Sequence, residues 1–134
     1  MIIKTALWPL QKAVYSCLTS NAELMELITG VYDEVPDGAK LPYVTVGDDT
    51  VNPMDTKTGA GEDITLTMHV WTMGPGKKQN KQILDAVLQA ITGGSLVLDK
   101  PFELEGAKRE FLNVIPDGPG YHGICRFRFY ISQN

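Results

Sequence analysis

Gly74-Pro75-Gly76-Lys77-Lys78 has the composition of a phosphate-binding loop, with glycines that free backbone amides and lysines to meet an anion. A P-loop needs G-x-x-x-x-G-K-[ST], and that pattern would put a glycine where Trp71 stands and a hydroxyl where Lys78 stands. The motif fails at both ends. What survives is a basic knob. Lys77, Lys78 and Lys81 crowd the expected start of a helix, where the macrodipole favours anions and disfavours cations. A solvated basic turn bears that penalty at about a few tenths of a kcal/mol. A local rule broken this way also suits docking on an acidic protein surface or on nucleic acid.

The remaining reactive side chains are scattered. His69 and His122 stand alone, without H-x-x-x-H or H-E-x-x-H spacing, so a metal site would need them to meet by folding. No serine or cysteine beside them forms a recognisable nucleophile elbow. Asp48-Asp49 and Glu62-Asp63 are adjacent carboxylates. Neighbours on a strand point to opposite faces, so they make poor acid/base dyads and read better as an acidic rim. Cys17 and Cys125 resemble neither a disulfide framework nor a metal half-site, and read as buried thiols in a reducing compartment. No catalytic residue, cofactor site or metal site emerges.

The elements that would position these residues follow from periodicity. Leu10, Val14, Cys17 and Leu18 form one face of a helix through Pro9 to Leu18, beginning near Trp8 because Pro9 is tolerated only in a first turn. Ser20-Asn21-Ala22-Glu23 reads as a capping box opening a short helix. Leu24, Leu27 and Ile28 would point inward, with Gly30 past its end. Val31 to Val35 is extended and stops at Pro36-Asp37-Gly38. Tyr43 to Val46 is a strand entered through Pro42.

Asp49 to Gly61 shows no apolar period and reads as a long loop. Asp63 to Trp71 alternates strictly, with Ile64, Leu66, Met68 and Val70 opposed to Thr65, Thr67, His69 and Trp71. That predicts a strand with one covered face. Leu84, Val87, Leu88 and Ile91 stripe a long helix closed by Gly93-Gly94, and Leu96 to Leu98 reads as a short strand. Two longer strands, about 107–115 and 121–131, flank Pro116-Asp117-Gly118-Pro119-Gly120 as a hairpin loop slightly longer than the tightest types. Cys125, Phe127, Phe129 and Ile131 share one face of the last strand; Ile124, Arg126, Arg128 and Tyr130 share the other. The expected fold is α+β, one domain over residues 1–134, with an antiparallel or mixed sheet and helices packed on one face.

Length fits one core, and the hydrophobic fraction of 43% with 21% charged residues argues against disorder. No apolar run approaches a membrane span, and Met1 to Leu10 does not read as a signal peptide. A net charge of −4 and a pI near 5.1 weigh against general nucleic-acid binding.

Gly30-Val31-Tyr32, Leu41-Pro42-Tyr43-Val44, Val70-Trp71-Thr72, His122-Gly123 and Arg126-Phe127-Arg128-Phe129 occur in an order that spans nearly the whole chain. In this order the chain resembles the tail completion, or tail-to-head joining, proteins of long-tailed bacteriophages. The resemblance implies a tail-terminator-like fold and a non-enzymatic virion protein that is hexameric as a ring in the virion; the net charge of −4 and the many polar residues predict a monomer when free. Its implied partners are the stopper protein of the head connector and the tail tube protein, with DNA passing through the lumen and no cofactor. It also implies a lumen lined by acidic or neutral groups, with Arg126 and Arg128 elsewhere.

The resemblance carries no site residues. From the residues themselves, the partner-binding candidates are Asp49, Met54, Asp55, Lys57, Glu62 and Asp63 in and beside the long loop, and Lys77, Lys78 and Lys81 in the knob. The loop has little to bury and is expected to be ordered by a neighbour. An alternative reading is a small nucleic-acid-binding module using the outer sheet face, where Thr65, Thr67, His69, Arg126, Arg128 and Tyr130 interleave basic and aromatic groups.

Overall fold

The computed structural model describes residues 2–94 and 96–134. Helix α1 (Leu7–Thr19) buries Leu10, Ala13, Val14, Cys17 and Leu18, the stripe its spacing predicts. Helix α2 (Ala22–Leu27) is capped by Asn21, whose side chain accepts from the Leu24 amide at 2.9 Å. The capping box on Ser20 does not form, because Ser20 closes α1 and its amide bonds to Ser16 O. Six residues make less than two turns, so α2 buries only Leu24 and leaves Leu27 exposed. Its cap is Ile28 rather than Gly30. Gly30 instead joins the sheet, accepting from the Val44 amide.

Strand β1 (Val31–Tyr32) lies parallel to β2 (Tyr43–Pro53), with Val31 opposite Val44. Strand β3 (Ala60–Thr72) pairs antiparallel with β2 and with β5 (Gly120–Gln133), which pairs antiparallel with β4 (Phe102–Asp117). The resulting mixed sheet has the order β1-β2-β3-β5-β4. Helix α3 (Lys78–Thr92) connects β3 to the last hairpin.

Several strand boundaries depart from the pattern reading, and β1 ends at Tyr32 rather than Val35. The aperiodic stretch 49–61 is mostly strand: β2 continues to Pro53, β3 begins at Ala60, and the two form a hairpin arm. Both strands of the arm are polar where they leave the core, so no alternation signals them. Strand β4 starts at Phe102 because it is an edge strand, mostly exposed and bulged near Glu105 and Glu110. Its loop to β5 is only Gly118-Pro119, with Gly118 at φ +56°, the glycine-first arrangement of a primed two-residue turn. Residues 96–98 are not a strand; Leu96 and Leu98 are buried as irregular chain while Val97 faces solvent.

One hydrophobic cluster draws on every element. Ile64, Leu66 and Met68 sit directly opposite Phe129, Phe127 and Cys125, so both central strands turn the same face to the helices. Helix α3 reaches this face with Ile83, Leu84, Val87, Ala90 and Ile91; Leu88 is only half-buried. A polar clamp fixes its first turns. Fully buried Asn80 donates through Nδ2 to Val70 O at 3.0 Å and Thr72 Oγ1 at 3.1 Å. Gly123 makes room for it, since a Cβ there would collide with Asn80 Oδ1. Gly123→Ala is therefore expected to lower Tm by roughly 5–15 °C, from about 1–3 kcal/mol of overpacking. An unchanged melting curve by circular dichroism would show that the clamp has slack.

Candidate functional site

The outer sheet face, away from the helices, carries most of the polar side chains singled out from sequence. His69 and His122, distant in sequence, meet across β3 and β5: His69 Nδ1 lies 2.7 Å from His122 Nε2, and His69 Nε2 lies 3.0 Å from Asp48 Oδ2. The chain closes with one tautomer each, His122 Nε2–H donating to His69 and His69 Nε2–H donating to Asp48. Trp71 stacks on His122 with centroids 3.9 Å apart and planes 7° from parallel, and its indole N–H donates to Thr45 Oγ1. Asp48 reaches this cluster from a β-bulge at φ +51°, a conformation aspartate tolerates better than most residues. The cluster was missed because it depends on register. The available signal was His69 and Trp71 two apart on one strand face.

An Asp–His pair is half of a hydrolytic relay, yet among the described residues no hydroxyl or thiol is hydrogen-bonded to either imidazole. No group of three or more His, Cys, Asp or Glu that could hold a metal ion occurs among them either. Burial pushes the Cys125 thiol up to about 12, leaving it un-ionised at neutral pH.

Burial, and then the neighbouring His69, lower the His122 pKa from 6.5; Asp117 partly offsets them. The unfolded chain thus takes up a proton before the folded one as pH falls through about 6.5. Stability from this site is present above that pH and declines below it. The Tm loss between about pH 7.5 and pH 5 is expected to be smaller in His122→Gln than in the parent. Equal losses would place the acid sensitivity elsewhere.

Further along the same face, Arg128 Nη1 grips both oxygens of Asp63 at 2.7 and 2.8 Å, and Nη2 lies 2.7 Å from Glu110 Oε1. These hydrogen bonds, Glu110 first and then Asp63, raise the arginine's pKa. Arg126 lies over the Phe111 ring at 5.4 Å and donates to Thr67 Oγ1. Among the described residues Arg126 and the exposed Lys108 form no ion pair, while Arg128 is cross-linked to carboxylates of the face itself. Glu62 is likewise engaged: its Oε1 accepts from the Ala6 amide at 2.6 Å, holding a carboxylate at the positive end of α1. Glu62 and Asp63 thus have jobs inside the subunit.

The other candidates project outward. Asp49, Met54, Asp55 and Lys57 are exposed along the β2–β3 arm. Its tip is closed by Thr56 and Gly59, with Asp55 Oδ1 accepting from the Gly61 amide. Lys77, Lys78 and Lys81 are exposed at the start of α3, and Lys77 is its N-cap residue. Arm and knob belong to different parts of the surface, and no catalytic geometry joins them.

The family model for the tail completion protein gp17 matches residues 12–132. The chain belongs to that family. It is 35% identical to the tail completion protein gp17 of Bacillus phage SPP1, covering 100% of both chains. A structure of bacteriophage SPP1 gp17 matches with a TM-score of 0.66 and 34% identity, covering 98% of this chain and 93% of that one. A chain in the virion of a native gene transfer agent particle matches with a TM-score of 0.86 and 30% identity, covering 97% and 99%. As a tail completion protein, the chain is a structural component of the virion at the head–tail junction, not an enzyme. The histidine cluster is accordingly read as a cross-strand staple.

Proposed function

We propose that this chain is one subunit of a hexameric ring that closes the head-proximal end of the tail. The ring docks on the stopper protein of the head connector on one side and on the tail tube protein on the other. DNA passes through its lumen without specific binding. The observation that carries this reading is the fit, over almost the whole chain, to a subunit of an assembled virion at a TM-score of 0.86. Its 34%-identical counterpart fits less closely, at 0.66. In this reading residues 1–134 act as one domain, and the arm (Asp49, Met54, Asp55, Lys57) and the knob (Lys77, Lys78, Lys81) supply contacts to neighbours.

The subunit is free in the host cytoplasm during assembly. With a net charge of −4, it is expected to scatter light there as a 14.7 kDa monomer at micromolar concentration and to form rings only on its target. A stable hexamer of the isolated protein would contradict that order of events.

The alternative, a nucleic-acid-binding module on the outer sheet face, is weakened by the pairing of Arg128 with Asp63 and Glu110. The two readings separate by counting and by salt. Quantitative mass spectrometry of purified particles should find six copies per virion, and DNA affinity should be negligible even in low salt. One or two copies would overturn the ring. A steep salt-dependent affinity for DNA would favour the module.

A further inference from the structure

Between α3 and the edge strand β4 runs an open groove of about 500 Å³. Leu84, Leu88 and Leu112 give it an apolar floor, and Lys77, Lys81 and Arg109 stand around it. Asp85 also lines it, accepting from Gln89 at 2.8 Å, and the three cations outnumber this carboxylate, so the local charge is positive. Leu112 is 41% exposed, unusually open for a leucine, and the outer edge of β4 has no strand beside it. Across the sheet, beyond β1, lies a segment of opposite character. Asp33-Glu34-Val35-Pro36-Asp37 is exposed throughout, and Val35 sits among three carboxylates. Between Ser20 and Asp63 the only basic residues are Lys40 and Lys57. Among the described residues, no ion pair or side-chain hydrogen bond involves Asp33, Glu34, Asp37, Lys77, Lys81 or Arg109.

We infer that the acidic segment 33–37 of one copy docks in the α3–β4 groove of the next, Val35 on the leucine floor and the carboxylates against Lys77, Lys81 and Arg109. The inference rests on the ring reading above and names its interface. Segment and groove belong to opposite edges of the sheet, with three strands between β1 and β4, so within one subunit they do not meet. Two different patches that complement each other make a heterologous contact, which leaves a free patch at either end and propagates until the rotation closes. Charge complementarity sets the direction and register of such a contact, while the buried Val35 supplies the apolar part. The segment's proline already restricts the chain and reduces the ordering entropy of docking.

Charge reversal in a single chain tests this, because every copy carries both halves of the contact. Lys81→Glu with Arg109→Glu is expected to reduce the yield of joined particles at least about tenfold, the equivalent of 1.4 kcal/mol. Adding Glu34→Lys and Asp37→Lys to the same chain should restore it. All four sites are exposed, and unchanged melting of each variant verifies folding. Failure of the fourfold variant to recover, with the two parent pairs equally defective, would overturn the pairing. In parallel, a photoreactive benzoylphenylalanine at Leu112 in assembled particles should cross-link to residues 31–40 of a second copy. Cross-links to DNA, to another virion protein or to a different part of the second copy would overturn this interface while leaving the ring intact. One copy per particle and no self-cross-link would overturn both.

Discussion

Phe127→Ala is expected to leave the protein unfolded or barely folded at 37 °C, with assembly lost only as a consequence. The ring of Phe127 is fully buried at the centre of the sheet, opposite Leu66 and 6.0 Å from Phe129. Truncating such a side chain removes about 3–5 kcal/mol, against the roughly 5–15 kcal/mol by which a domain is stable. Leu88 provides the contrast. It carries the right spacing for the core stripe of α3 but is only half-buried on the groove side. Leu88→Ala should lose roughly half of what a buried leucine loses, about 1–2 kcal/mol. Chemical denaturation of the two variants measures both. Equal destabilisation would mean that the groove floor is part of the core.

The second large effect is on joining. Met54 to Gly61 holds the tip of the β2–β3 arm, and replacing it with Asn-Gly would close the hairpin directly between Pro53 and Glu62 with a two-residue turn. The cut must stop there, because Glu62 caps α1 and Asp63 holds Arg128. Met54 is 39% exposed, Asp55 and Lys57 are exposed, and of the tip only Ala60 and Gly61 are buried. Melting should therefore change by only a few degrees, while joined particles fall by about tenfold or more through the loss of an anchoring contact. Normal infectivity of phage carrying the shortened arm would show that the arm contacts no essential partner. A collapse in Tm would show that it supports the fold.

Sequence patterning carried the interior further than the rim. The alternation of Ile64 to Val70 and of Cys125 to Ile131 identified the covered face, since a strand buried on one side must alternate. It placed β4 over 107–115 but missed its start at Phe102, and it missed the arm, where most side chains on both faces are wet and little is constrained by the core. The 49–61 segment read as loop for that reason, although backbone pairing continues through most of it. Local capping was also ambiguous. Ser20 and Asn21 are both good cap residues, and α1's own last turn claimed Ser20. Of the Asp48–His69–His122 cluster only the shared face of His69 and Trp71 was legible, because its distances are set by strand register and a single bulge. Glu62 and Asp63 looked like a free acidic rim, and only tertiary structure reveals the helix end and the arginine that hold them.

The most direct test of the account is joining itself. Tails and DNA-filled heads, each purified from phage lacking this protein, are mixed with and without the purified chain, and joined particles are counted by electron microscopy and by plaque titre. The chain is expected to bind the tails first, at their head-proximal end, and to convert separate heads and tails into infectious particles. Joining that proceeds equally well without it, or a chain that binds neither heads nor tails, would contradict its role at the head–tail junction.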